Sequence, residues 1–426
     1  MQNKKNIPAL RFRGFNEEWE VESFDKSFTG ISNNTLSRDK LNYNIGKSKN
    51  IHYGDVLVRF NEILDIKNKE VPFITDDKIS DKLKPSKLKN GDVVFADAAE
   101  DEMVGKCVEV TNITNEVVYS GLHTIAVRPK VEFAKGYLGY YLNSKLYHNQ
   151  FLNLMQGTKV LSISKTAIKT TTVKFPNSKP EQTKIGSFFE NLDQLLTKHQ
   201  TQHQKLQALK KAMLGKLFPK KGATTPEIRF KGFTEDWEDE KLSFFADKSV
   251  DNRGKTPPLN KNGNHPLIEV DALGDGAPNY SKISKFLDDY SFNNFLRDYI
   301  KKGDILFSTV GSVGLVSLMD ENESAAIAQN IVSFRPKEGF FPEYLYALFS
   351  NKLNKSLATK IVMNGVQPSI KVSQLVDVKY FITTNKEEQQ QIGNYFKNLD
   401  ALITKHATQI EKLGAIKKAC LSKMFV

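Results

Sequence analysis

The chain has 426 residues, 39% of them hydrophobic and 26% charged, with a formal net charge of +12. That length allows two or three domains, and that apolar content excludes a globally disordered chain. The basic balance points to a polyanionic partner, the two cysteines, Cys107 and Cys420, exclude a disulfide framework, and no apolar run is long enough to span a bilayer.

Met1–Leu10 is polar and lysine-containing, without a signal-peptide pattern, so the expected location is the cytoplasm. Pro8–Glu20 reads PALRFRGFNEEWE and returns as Pro226–Glu238, PEIRFKGFTEDWE. Both tryptophans, Trp19 and Trp237, hold the same place in this head element. A proline, a short basic-aromatic run and an acidic turn predict a structured loop that docks its Phe and Trp onto a core.

Two faintly similar stretches follow the heads, Val21–Pro180 and Asp239–Glu387. Gly91–Phe95 and Gly303–Phe307 each predict a turn followed by a buried strand. Second strands are expected at Gly105–Val110 and Gly314–Met319. Third strands close on Arg-Pro, His123–Pro129 and Asn330–Pro336. Helical patterns come next, Tyr137–Met155 and Pro342–Met363. Glycine turns then lead to Ser-Ile, GTKVLSI at Gly157–Ile163 and GVQPSI at Gly365–Ile370. A last apolar strand ends each stretch.

Glu181–Phe218 and Glu388–Phe425 are identical at 23 of 38 aligned positions, with no gap. Apolar residues recur in seven-residue steps, Ile185, Leu192, Leu206 and Met213 in one and Ile392, Leu399, Leu413 and Cys420 in the other. A second stripe runs through Phe188, Phe189, Leu195, Leu196, Leu209 and Leu217, matched by Tyr395, Phe396, Leu402, Ile403, Ile416 and Met424. The pattern is that of a coiled-coil seam on a helix of about 57 Å at about 1.5 Å per residue. Each helix is a poor structure alone, so each is expected to pair with the other. His199 and His406 stand where the seam otherwise has Ile or Leu, with Gln202 and Gln409 three residues on. They read as a polar layer that fixes register, and the layers would meet in either a parallel or an antiparallel pair; connectivity favours antiparallel. Glu181–Lys221 carries eight lysines against three acids and Lys386–Val426 seven against four. A solvated lysine face explains one such helix; two of them favour a positive surface beside a nucleic acid or partner proteins. Composition turns to Pro, Gly, Lys and Thr in Leu217–Pro226, LFPKKGATTP, and 219–226 is read as the linker.

No catalytic constellation is present: no phosphate-binding G-x-x-x-x-G-K-[ST], no G-x-S-x-G, no H-E-x-x-H, no paired cysteines for zinc and no amino-methyltransferase motif. No metal ligand set stands out. For reading nucleic acid the useful groups are long donors and amides on loops. The candidates in the first stretch are Asn33, Asn34, Arg38, Arg59, Asn61, His123, Thr158 and Lys159. In the second they are Asn252, Arg253, Lys255, Ser312, Gln329, Asn330 and Gln367. Each alone has a plain alternative as a polar loop residue; their matching placement raises them as a group.

The two heads, GDILFSTVGSVG, NIVSFRP, GVQPSI and the paired EQxxIGxxFxxLDxLxTKH helices resemble the specificity subunit of type I restriction–modification enzymes over almost the whole chain. The first stretch departs from the pattern, with FADAAEDEMVG and GTKVLSI in place of the usual turns. The resemblance implies an α+β fold: two α/β target-recognition domains joined by two long antiparallel helices in a pseudo-twofold internal repeat. The expected segments are recognition domain 1 (1–180), first spacer helix (181–218), linker (219–226), recognition domain 2 (227–387) and second spacer helix (388–426). It implies a non-catalytic, DNA-binding subunit that reads one half of a split target with each domain. Half-sites about one helical turn apart, roughly 34 Å, would suit such a helix pair. The implied partners are double-stranded DNA, two modification subunits and the motor-nuclease restriction subunits, with no membrane. No cofactor is expected in this chain; S-adenosylmethionine would enter with the modification subunits. Two other readings stay open, a protein-interaction scaffold that never touches bases and a DNA-modifying enzyme with an unrecognised site.

Overall fold

The run GDVVFA places Val93–Ala96 at the centre of a five-stranded sheet, buried on both faces. Val93 and Phe95 point into one core, and Val94 and Ala96 into another. A strand covered on both sides has no polar face, hence the unbroken apolar run. In the computed structural model, the described residues are 6–83, 86–252, 254, 257–274, 276–322, 324–362 and 368–426. The chain forms two compact units. One comprises Met1–Lys198 with Gln409–Val426, the other His199–Thr408.

In the first unit the strand order is Phe28–Ile31, Thr124–Pro129, Val93–Ala96, Cys107–Thr111 and Ile63–Asp65. All neighbours are antiparallel except the last pair. A four-stranded sheet containing Ser48–Ile51 and Val117–Ser120 shares the core on one side. On the other side lie Tyr137–Leu142 and the start of the first long helix, Lys179–Lys216. The second unit repeats the plan with four antiparallel strands, Ala246–Asp251, Ile331–Pro336, Ile305–Ser308 and Val316–Leu318. The second long helix, Lys386–Lys423, starts there.

Matched motifs have matched jobs. Asp92, after the glycine turn, accepts two bonds from Arg128 of the Arg-Pro strand at 2.9 and 2.7 Å, and Asp304 accepts two from Arg335, both at 2.8 Å. Both carboxylates are buried, and the bidentate fork locks turn to strand. The heads act alike: Arg11 grips Glu181 at 2.7 and 2.8 Å, and Arg229 grips Glu388 at 2.6 and 2.9 Å. Trp19 packs edge-on against Phe425, and Trp237 against Phe218. Gln182 bridges Ala134 N and Pro176 O, as Gln389 bridges Phe341 N and Thr383 O. A side chain on Gly186 would meet the Lys135 carbonyl at 2.7 Å, and one on Gly393 the Tyr344 nitrogen at 2.9 Å. The EQxxIG pattern is therefore clamp, bridge, core residue and close approach, in that order.

The helices pair antiparallel within each unit. Asp193 meets Lys417 at 2.7 Å in the first unit, and Lys210 meets Asp400 at 2.6 Å in the second. A shift of 207 residues turns one pair into the other. Of the seam residues, Ile185, Leu192, Ile392 and Leu399 are buried. Leu206 and Met213, and Leu413 and Cys420, are half-buried against the two cores. His199 and His406 meet in the second unit, Nδ1 to Nδ1 at 2.9 Å.

Three expectations need correction. Neither helical pattern is one helix: Tyr137–Met155 breaks at Asn143, with Ser144 capping Lys145–His148, and Pro342–Met363 breaks at Asn351, which caps Lys352–Thr359, while Met363 lies outside the described residues. The second stripe is not all covered, since Leu195, Leu209, Leu402 and Ile416 are exposed. Nor do all the helix lysines face outward, because Lys210 and Lys417 are turned into ion pairs between the helices.

Candidate nucleic-acid interface

In each unit one set of backbone bonds gathers three loops at the end of the central strand. After Val93–Ala96, the Asp97 amide donates to His123 O at 3.1 Å, and Ile163 N donates to Asp97 O at 2.9 Å. After Ile305–Ser308, the Thr309 amide donates to Asn330 O at 2.8 Å, and Ile370 N donates to Thr309 O at 2.8 Å. The strand exit, the turn before the Arg-Pro strand and the segment after the glycine turn thus lie side by side twice, despite poor sequence likeness.

In the first unit the gathered surface is polar and aromatic. Asn33 donates to Gly121 O at 3.3 Å and accepts from Lys165 at 3.1 Å. His123, in the left-handed region at φ 52°, faces Asp97 at 3.2 Å and lies edge-on to Tyr53. Arg38 forks onto Asp55 at 2.7 and 2.9 Å and also donates to the Tyr43 hydroxyl, which Arg59 reaches at 2.8 Å. The Asp55 carboxylate raises the Arg38 pKa. Burial, with the Arg38 charge second, depresses that of His52. Burial raises the pKa of Asp97, opposed by His123. Thr158 and Lys159 are exposed on the turn closed by Gln156 and Ser162, whose strand pairs with Ala98–Ala99 beside Asp97. Asn61 is exposed next to Arg59, and among the described residues no hydrogen bond joins it to this network.

Asn34 and Asn252 do not present their amides outward. Asn34 is 7% exposed and donates to Asn50 at 2.7 Å; Asn252 is 2% exposed and donates to Ile327 O at 3.1 Å. They hold loops in place. Ser312, Gln329 and Asn330 are exposed in the second unit, and the Ser312 carbonyl accepts from Ser308 Oγ at 2.6 Å. Gly311 N donates to Pro368 O at 3.0 Å, seating the glycine turn beside Pro368–Ile370. Arg253, Lys255 and Gln367 lie outside the described residues.

Sequence reasoning missed Tyr43, Tyr53, Asp97 and Lys165, which complete the first surface. Tyr43 had a signal, since it sits in a polar run where no core pattern needs it; Tyr53 lies in an apolar run and packs partly buried against the core. Asp97 and Lys165 had none, because only tertiary pairing brings them to His123 and Asn33. Among the described residues no group of three or more His, Cys, Asp and Glu is placed to hold a metal ion, and no helix is long and apolar enough to cross a membrane. The surface is suited to contacting phosphates and base edges through cations, amides and ring faces.

A family model described as the type I restriction modification DNA specificity domain matches residues 28–210 and again 234–414. The chain belongs to this family. Each match takes in one gathered-loop surface and most of one long helix. The specificity family includes a curated relative from Methanocaldococcus jannaschii, the type I restriction enzyme MjaVIII specificity subunit. It is 26% identical over 297 residues, covering 67% of this chain and 68% of the relative. A second from the same organism, the putative type I restriction enzyme MjaX specificity subunit, is 29% identical over 198 residues. There the chain spans only 46% of the relative's length. Among solved structures, the type I restriction–modification S subunit from M. genitalium matches with a TM-score of 0.63 over 99% of both chains at 14% identity, a likeness of fold.

Proposed function

We propose that this chain is the DNA-specificity subunit of a type I restriction–modification complex, each recognition domain reading one half of a split target. The observation that carries the reading is the recurrence of the gathered loops: one backbone frame displays different side chains in the two units, as unlike half-sites require. In the first half-site the reading side chains are Asn33, Arg59, His123, Thr158 and Lys159, with Tyr43 and Tyr53 as ring contacts. In the second they are Ser312, Gln329 and Asn330. The helix pair sets the count of unread bases between them.

The chain itself performs no chemistry on DNA. Two modification subunits bring S-adenosylmethionine and methylate the target, and restriction subunits join that assembly in the cytoplasm. The exposed pairs Leu195 with Ile416, and Leu209 with Leu402, support a scaffold role: each unit leaves two large apolar side chains, 43–47% exposed, on its helices, one pair for each modification subunit.

Methylome sequencing of cells with and without the chain, beside its modification subunit, tests the reading. The expected result is a bipartite methylated motif that vanishes with the chain. Exchange of residues 21–180 for another such domain is expected to change one half of that motif. A change in both halves, or methylation by the purified chain alone, would overturn it.

A further inference from the structure

The histidine layer has a chemistry that register alone does not need. His199 from the first long helix and His406 from the second bring their Nδ1 atoms to 2.9 Å, with ring centroids 5.1 Å apart and planes at 51°. Every neighbouring step of this seam carries an aliphatic side chain, Leu192 and Leu206 on one helix and Leu399 and Leu413 on the other. Two neutral imidazole nitrogens at that distance share one proton between two lone pairs. One ion can replace that proton. With metal–nitrogen bonds of about 2.05 Å, nitrogens 2.9 Å apart subtend about 90° at the metal, the angle between adjacent ligands in octahedral or square-planar geometry. Tetrahedral zinc would need them about 0.4 Å further apart.

We propose that His199 and His406 form a two-histidine site for a divalent transition ion of nickel or copper type, joining the two long helices. The rings turn so that both Nδ1 atoms point at one ion; the ring that carried its proton on Nδ1 gives it to water and takes one up on Nε2, so both imidazoles stay neutral. Two ligands come from the protein and water fills the remaining positions, in keeping with the absence of any three-residue metal cluster among the described residues. The ion fixes which residues of the two helices face each other.

The test uses the full chain, stripped with a chelator and titrated with nickel chloride at pH 8 by calorimetry. One equivalent is expected to bind with a Kd on the order of 10 μM. Copper loading is expected to give an electron paramagnetic resonance spectrum split by two nitrogens. Two double variants guard against misfolding: His199→Leu with His406→Leu, which continues the aliphatic seam, and His199→Gln with His406→Gln, which keeps it polar. Loss of this equivalent in whichever variant folds, with affinity down at least about 30-fold, is the supporting result. A Kd weaker than about 1 mM for the parent chain, or undiminished binding in a folded double variant, would overturn the proposal.

Discussion

Arg229→Ala is the sharpest test of how the heads are fixed. Glu388 is fully buried, the Arg229 side chain is 14% exposed, and two charge-assisted bonds of 2.6 and 2.9 Å join them. Removing the guanidinium leaves a carboxylate out of water without its counter-charge. Breaking such a pair costs about 3–5 kcal/mol, whereas replacing both partners by apolar groups is often close to neutral. Arg229→Ala is therefore expected to cost about 3 kcal/mol or more, and Arg229→Leu with Glu388→Leu less than half of that. Urea unfolding in a Trp19→Phe background reads the second unit through Trp237 alone, which packs on Phe218 in that core. With a slope of about 2.5 kcal/mol per M, the midpoint should fall by about 1–2 M for the single variant. A fall below about 0.3 M, or a double variant as unstable as the single, would refute the clamp as the device holding the head.

Gly186→Ala and Gly393→Ala put a carbon against backbone atoms and should each cost about 1–3 kcal/mol in thermal melts. Gly215→Ala and Gly414→Ala meet nothing within 4 Å and should each stabilise by about 0.5–1 kcal/mol. Burial lifts the Glu109 pKa to about 7, against the amides of Gly136 and Gly139 that favour its ionised form. A carboxyl with a raised folded pKa contributes most below its unfolded value near 4.5, and stability should decline by about 3 kcal/mol as pH rises from there through 7. Trp19 fluorescence in urea at pH 5 and pH 8 measures that decline in the first unit, and Glu109→Gln should flatten it. Gln329→Ala should relax the second half of the methylated motif at unchanged Tm, whereas Asn252→Ala should lower Tm by losing a buried bond worth about 1–3 kcal/mol.

The long helices were legible because a heptad repeat states both helix and buried face in one pattern, and a near-identical copy names the partner. The heads were legible for a similar reason, as a Trp in a polar run has to be buried somewhere. The seven-residue step could not tell Leu192, which is buried, from Leu195 and Leu209, which are not, because coverage depends on what else packs against the pair. Lys210 and Lys417 looked like solvated charges until Asp400 and Asp193 were seen across the seam. At the candidate surface the sequence named loops that the fold brings together, but not the direction of each side chain. Asn34 and Asn252 turn inward to bonds with Asn50 and the Ile327 carbonyl, which no local pattern encodes.

Each unit completes its core with the tail of the other half's helix: Met424 and Phe425 in the first, Leu217 and Phe218 in the second. Leu10 N bonds Lys423 O as Ile228 N bonds Lys216 O. The peptide link at 219–225 also fastens the second head, since the Thr224 carbonyl accepts from the Trp237 amide at 2.9 Å and Lys220 pairs with Glu227. Two fragments divided there would have to exchange their helix ends to fold, and having exchanged them would be fastened together.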